Sequence, residues 1–321
     1  QPVNMRQYRL SIQDQAEIDR QVEENLKAKR VQRSTSPFNA PSLLVGKPDQ
    51  SKRMCQDERG LNKITIKNKM QMPDIQSIFD RLKGAAWFSK LDLKSGFNQI
   101  RIKEEDTPKT GFSCSSGHYE WLVMPFGLCN APATFQSLMQ FIFAERLNKT
   151  IVVFIDDILI YTKTKEDHIK EIEWALQQLG KWKLYAAAKK CFWMKEEMEF
   201  LGHLVSAKGV QVMAKKIQAI VDWPELSNAK EVKQFLGLAG YYRRFVKDFS
   251  KIAAPLTELM KDKTTWRWEK EEKDAFDLLK EKMSQTPILI HPDHSRPFMV
   301  TTDASGYAIG AVLSQDQGDG Q

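Results

Sequence analysis

Ile151-Val152-Val153-Phe154-Ile155-Asp156-Asp157-Ile158-Leu159-Ile160-Tyr161 is the stretch that decides the reading of this chain. Two apolar, β-branched-rich runs are separated only by a pair of aspartates, and runs of this length and composition form strands. A two-residue connection fits a tight β-hairpin, where Asp tolerates unusual backbone dihedrals. The usual choices there are Asn-Gly and Asp-Gly, so Asp-Asp is not simply the best turn. Adjacent like charges repel, and long apolar flanks strip their solvent. A divalent cation relieves both costs, and Mg²⁺ is commonly held by one or two carboxylates together with substrate phosphates. An ordinary Asp-rich turn is the competing reading of the doublet alone.

Upstream, residues 86–93 read as a buried strand with Asp92 near its end. A lone Asp there is usually a cap or turn residue. Residues 97–102 alternate apolar with polar. Residues 131–147 are helix-like, opened by Pro132 in the first turn, and 166–184 form a second amphipathic helix. Residues 200–210 suggest a hairpin turning at Lys208-Gly209. Near the N-terminus, Ser11 and Asp14 resemble a capping box before a helix with Ile18, Val22 and Leu26 on one face. Residues 34–41 read as loop, with Pro37 and Pro41 as breakers. A strand begins at 43–45, and Lys47-Pro48-Asp49-Gln50 reads as its turn. From Ala214 onward helices dominate, at 215–223, 229–239, 252–261 and 270–283, punctuated by Pro224, Pro255 and Pro287. A last strand pair begins near Phe298 and turns at Ser305-Gly306. The expected class is α+β: a mixed front half, a helical module and the start of a third unit.

The 321 residues are 42% hydrophobic, enough for two or three compact units. No apolar run reaches the ~18 residues of a membrane span, and no signal-peptide pattern opens the chain. Beginning at Gln1, it is expected to be a piece of a longer product. The net charge of +7 is compatible with a polyanionic partner or with a solvated basic surface. Cys55, Cys114, Cys129 and Cys191 lack C-x-x-C spacing and a nearby His, so reduced thiols in an intracellular setting are expected rather than zinc or disulfides.

Five stretches in order then carry a family resemblance. Leu91-Asp92-Leu93-Lys94-Ser95-Gly96-Phe97-Asn98-Gln99-Ile100 resembles the motif bearing the first catalytic Asp of gypsy-type LTR retrotransposon (Metaviridae) reverse transcriptases. Val123-Met124-Pro125-Phe126-Gly127-Leu128-Cys129-Asn130-Ala131-Pro132-Ala133-Thr134-Phe135-Gln136 resembles their next motif. Phe154-Ile155-Asp156-Asp157 resembles the catalytic tetrapeptide, Phe200-Leu201-Gly202-His203 the primer grip, and residues 236–245 the thumb segment. The source implied is a Pol polyprotein.

That resemblance implies a right-hand polymerase fold with an antiparallel palm sheet. Fingers would span 1–83 and 105–130, and palm 84–104 and 131–212 including the primer grip. A helical thumb would span 213–265, a helical tether 266–296 and the start of an RNase H-like domain 297–321. Asp92, Asp156 and Asp157 would be both the catalytic residues and the ligands of two Mg²⁺ ions, with Mn²⁺ as a substitute. Lys47, Arg53, Phe97, Phe126 and Gly127 would bind the dNTP, with Phe97 as the steric gate against a ribose 2′-hydroxyl. Leu201, Gly202 and His203 would grip the primer. Arg59, Tyr241, Arg243 and Arg244 would contact nucleic acid, and either Lys189 or Lys190 would act beside pyrophosphate. Asp303 would be the first ligand of an RNase H site whose other carboxylates fall beyond Gln321, so no RNase H activity is expected. The partners would be an RNA or DNA template with primer, and dNTPs, in a cytoplasmic retroelement particle. The pattern departs from the family at Gly46, Lys52, Gln56-Asp57-Glu58-Arg59 and Tyr185-Ala186-Ala187-Ala188. A nucleic-acid-binding remnant without catalysis is the alternative these departures raise; an RNA-dependent RNA polymerase is a third, opposed by Phe97.

Overall fold

The computed structural model describes residues 1–46, 50–261, 264–293, 295–304 and 309–316. The proposed turns at Lys47-Pro48-Asp49 and Ser305-Gly306, and the candidate Lys47, lie outside the described residues. In chain order the elements are α1 (Ile12–Lys27), β1 (Val31–Arg33), β2 (Ala40–Gly46), β3 (Lys52–Gln56), α2 (Arg59–Ile64), α3 (Ile75–Asp80) and β4 (Trp87–Asp92). Next come β5 (Phe112–Cys114), β6 (Gly117–Trp121), α4 (Ala131–Ile142), β7 (Ile151–Phe154), β8 (Asp157–Thr162), α5 (Lys165–Lys181) and β9 (Phe192–Lys195). The three strands β10 (Glu197–Phe200), β11 (His203–Ser206) and β12 (Gly209–Val212) precede α6 (Ala214–Val221), α7 (Ala229–Tyr241), α8 (Phe249–Glu258) and α9 (Lys270–Ser284). A final pair, β13 (Met299–Ala304) and β14 (Ile309–Ser314), closes the described chain.

The central sheet has the order β7-β8-β4-β9. Its strands are apolar at successive positions because both faces are covered. Alternation sends Leu91, Ile151, Val153, Ile158 and Ile160 to one face, where they meet Phe135 and Met139 of α4 and Ala175 and Leu179 of α5. Phe88, Val152, Leu159 and Tyr161 go to the other, into a core continuous with Phe200, Val205, Phe235, Tyr242, Leu256 and Leu279. Each large apolar side chain so buried contributes roughly 1.5–3 kcal/mol. The helices after β12 are thus welded to the central sheet by one core. A five-stranded sheet, β1-β6-β5-β2-β3, has its own core around Ile18, Val22, Phe112 and Trp121. The chain leaves it for β4, returns through β5 and β6, and leaves again. All four cysteines are free.

The cap expected at Ser11 is realised: its side chain accepts from the Asp14 N–H. The structure adds two more of the same kind, Thr164 accepting from the Asp167 N–H and Asn228 from the Glu231 N–H. Four expectations are revised. Residues 97–102 do not extend: Gly96–Gln99 is a 3₁₀ turn, entered through Ser95 at φ +50°. The hairpin at 200–210 is the middle of a three-stranded sheet, with a second turn at Leu201-Gly202. Pro41 lies within β2, opposite Ser113 of the parallel β5. Pro255 lies inside α8, where burial of Ala253 and Leu256 outweighs the lost backbone hydrogen bond.

Beneath the central sheet His168 is fully buried. The Thr162 hydroxyl donates to the Thr164 carbonyl (2.9 Å), so it accepts from His168 Nδ1 at 2.9 Å. The Ser89 hydroxyl accepts the Met194 N–H (3.0 Å) and donates to Nε2 at 2.8 Å. The network wants a neutral ring, and burial lowers the pKa from 6.5 to about 4. Neutral His168 therefore contributes its stability in full above pH 6.5, and that contribution is lost as pH falls towards about 4. The loss is on the order of 2–3 kcal/mol. Urea midpoints should fall between pH 6.5 and 5, and His168→Gln should be less stable at pH 8 with a flatter profile across that window. An unchanged slope in the variant would assign the acid sensitivity elsewhere.

Candidate active site

The ends of β4 and β8 bring the aspartates together. Asp92 is the direct cross-strand partner of Asp157, a separation of about 4.5–5.5 Å between Cβ atoms. Phe154 pairs with Asp157, so the hairpin loop is Ile155-Asp156 rather than Asp156-Asp157. Asp157 belongs to the strand. Ile155 takes φ +53°, which is unfavourable for a β-branched residue. A buried glutamine of α4 holds it there. The Gln136 amide donates to the Val153 carbonyl (3.0 Å), and the Ile155 N–H donates to Gln136 Oε1 (2.6 Å).

Charge dominates this corner. Burial pushes the Asp156 carboxyl up to about 6, and the charges of Asp92 and Asp157 add to that effect. Its Oδ1 is buried without a hydrogen-bond partner among the described residues. Gly96 provides the space: a Cβ there would lie 2.7 Å from Asp156 Oδ1. Two lysines offset the remaining charge. Lys90 Nζ lies 2.6 Å from Asp157 Oδ1, and Lys190 Nζ 3.7 Å from Asp92 Oδ1. Of the adjacent exposed pair Lys189 and Lys190, it is Lys190 that comes within 4 Å of a site carboxylate. No group of three His, Cys, Asp or Glu among the described residues converges into a ready-made metal cage. The donors nonetheless fit Mg²⁺: hard carboxylate oxygens, one of them unsatisfied, with positions left for substrate phosphates.

Aromatic side chains wall the site. Phe97 is buried between Phe126 and Phe135, at ring-centroid distances of 5.2 and 5.4 Å. The Arg53 guanidinium stacks over Phe126 at 4.6 Å from the ring centre. Gly127 has φ +105°, and a Cβ there would come within 3.1 Å of the Gln56 carbonyl. Arg59, largely exposed, is oriented by two-pronged contact with the buried Asp57 (2.9 and 2.6 Å). Asp57 also receives the Tyr8 hydroxyl.

The remaining candidates lie apart from the carboxylates. Leu201 and Gly202 form the turn between β10 and β11. His203 is fully buried beneath them, so its ring supports the turn and is not presented at the surface. The Tyr241 hydroxyl donates to the Leu201 carbonyl (2.8 Å). Arg243 is exposed, while Arg244 donates to Gln76. Asp303 sits on β13, ion-paired to Lys251 at 2.5 Å.

Residues 45–205 match the family described as reverse transcriptase (RNA-dependent DNA polymerase). The chain belongs to that family. Residues 268–321 match the RNase H-like domain found in reverse transcriptases. The chain is 41% identical to the retrovirus-related Pol polyprotein from transposon 297 and 36% identical to that from transposon gypsy, both of Drosophila melanogaster. Each match covers 98% of this chain but only 30% and 32% of the relative, so the chain spans about a third of those polyproteins. A foamy viral protease-reverse transcriptase, solved in complex with double-stranded DNA, superposes with a TM-score of 0.88 at 26% identity, covering 95% of this chain and 54% of that one. The architecture is therefore the reverse transcriptase hand, with the β7-β8-β4-β9 sheet as its palm.

Two residues were not singled out by sequence reading. Gln136 stood inside a quoted motif with no role, although a glutamine among the buried positions 135, 136 and 139 of one helix is a signal for a polar clamp. Lys90 gave no signal beyond lying two residues before Asp92 on the same strand face. Gln136→Leu leaves a buried carbonyl and N–H unpaired, each costing about 1–3 kcal/mol. It should lower the thermal midpoint and, in the fraction still folded, the turnover number for nucleotide addition by roughly ten- to a hundredfold. Full turnover in folded variant protein would show that the clamp does not position the loop.

Proposed function

We propose that this chain is an RNA-directed DNA polymerase adding dNTPs to a primer 3′-hydroxyl on an RNA or DNA template. The observation that carries this reading is the convergence of Asp92, Asp156 and Asp157 at one strand edge, with one carboxylate oxygen buried and unsatisfied. Asp92, Asp156 and Asp157 would hold two Mg²⁺ ions. When bound, such ions (or Mn²⁺) lower the pKa of the attacking hydroxyl and stabilise the leaving pyrophosphate. The protein's own part is positioning and fixed charge. Arg53, its guanidinium carbon 4.6 Å from the centre of the Phe126 ring, presents its guanidinium to a triphosphate. Lys190 supplies a cation on the pyrophosphate side, and Lys47 is assigned to the triphosphate by the family resemblance alone. Phe97, wedged between two aromatic rings, cannot swing aside, so a 2′-hydroxyl above it would clash. Leu201 and Gly202 would seat the primer end, while Arg59, Tyr241, Arg243 and Arg244 would follow the nucleic-acid strands.

We divide the chain into fingers at 1–83 and 105–130, palm at 84–104 and 131–212, and thumb at 213–265, followed by a tether. Asp303 belongs to the RNase H-like portion. No helix among the described residues is long and apolar enough to cross a membrane, and a cytoplasmic retroelement particle is the setting proposed.

Primer extension with Mg²⁺ tests the reading. Asp156→Asn should reduce extension by roughly 100-fold or more while hybrid binding is retained. A folded, hybrid-binding wild-type protein that extends nothing would establish a binding remnant instead. Phe97→Ala should raise the NTP-to-dNTP incorporation ratio roughly tenfold or more. An unchanged ratio in an active variant would remove the gate from Phe97.

A further inference from the structure

The Leu201-Gly202 turn is held from below. Phe200 pairs directly with His203, so these two residues make the whole loop. Both are left-handed, at φ +46° and +76°. That conformation suits a tight hairpin but is normally given to Asn-Gly, and a leucine there is strained. Three side chains take up the turn's carbonyls. Tyr241 Oη donates to Leu201 O at 2.8 Å, and His203 Nδ1 donates to the same oxygen at 2.9 Å. Tyr242 Oη donates to Gly202 O at 3.1 Å. Tyr242 and His203 are buried, and the imidazole is packed among Phe79, Tyr241, Tyr242 and Phe245 at centroid distances of 4.7 to 5.6 Å. Gly202 serves twice: it accepts the left-handed backbone, and a Cβ there would meet Tyr242 Oη at 3.0 Å.

The two phenols lie at the end of α7 and its C-cap, some forty residues from the turn, and α7 is a thumb helix. We infer that Tyr241, Tyr242 and His203 form a latch through which the thumb sets the conformation of the primer-grip turn, and with it the placement of the primer 3′ end. The three are positioning residues: they act through the turn's backbone. The inference rests on the reading of Leu201-Gly202 as the primer grip. It explains why a strained Leu-Gly pair persists in the turn. With both carbonyls drawn towards the thumb, the opposite edge of the turn is left for the primer. A displaced thumb would release the two tyrosine hydrogen bonds and let the turn relax.

Tyr241→Phe, Tyr242→Phe and the double variant remove only hydroxyl oxygens. In the full chain Tyr242→Phe, at a buried ring with no assigned nucleic-acid contact, should retain hybrid affinity and a thermal midpoint near wild type. Single-turnover extension of a correctly paired primer should slow about three- to tenfold, the scale of one hydrogen bond net of solvent. Extension from a mispaired 3′ end should rise relative to the paired one, because a loosened turn tolerates a displaced terminus. A purely structural role would lower the midpoint without moving that ratio. Gly202→Ala is the control for the grip itself. If it slows extension while the Phe variants match wild type in rate and ratio, the latch is wrong and the grip stands. If Gly202→Ala also leaves extension unchanged, the grip reading fails and the latch with it.

Discussion

Mutual repulsion of three carboxylates at the rim of an apolar sheet is the constraint around which this structure is arranged. Asp92 and Asp157 face each other across β4 and β8, and Asp156 crowds both from the loop. Burial of the palm sheet on both faces makes that corner poor in solvent, which is why Asp156 resists ionisation. Nearby features answer the repulsion. Lys90 and Lys190 neutralise two of the carboxylates, Gly96 leaves room for the third, and Gln136 pins the backbone that carries it. The same charge that destabilises the bare protein is what a divalent cation would complement.

The strained backbone of the site is supported by buried polar groups on neighbouring elements. Ile155 at positive φ depends on α4 through Gln136; Leu201 at positive φ depends on α7 through Tyr241. In each case a carbonyl or N–H that the turn cannot satisfy itself is paired by a side chain arriving from a helix. The palm's second core runs without a break into the helices that follow β12. The Ile155-Asp156 loop, the Leu201-Gly202 turn and the helices after β12 are therefore mechanically joined, whereas the five-stranded sheet keeps a separate core.

Much of this was legible in residue order. Apolar runs located β4, β7 and β8, and the cap at Ser11 marked a helix start. The five motifs led to the family that the comparisons bear out. Alternation misled at residues 97–102, because a left-handed Ser95 and the packing of Phe97 against Phe126 and Phe135 fold that stretch into a 3₁₀ turn. Proline misled at Pro41 and Pro255, where strand pairing and helix burial override a local preference. His203 read as a primer contact and is instead the buried ring beneath the turn.

The sequence by itself determined the family and the candidate residues for its chemistry, because carboxylates between apolar runs and motifs in fixed order are properties of the linear chain. Only the tertiary structure decided their geometry. It moved the hairpin loop one residue, to Ile155-Asp156, because register is set by pairing between strands. It placed Lys190 beside Asp92, brought Lys90 to Asp157, and gave Gln136 and the two tyrosines their carbonyls. Each of these contacts joins residues on different elements or different strands. Their distance depends on how sheets and helices pack, which local composition does not encode.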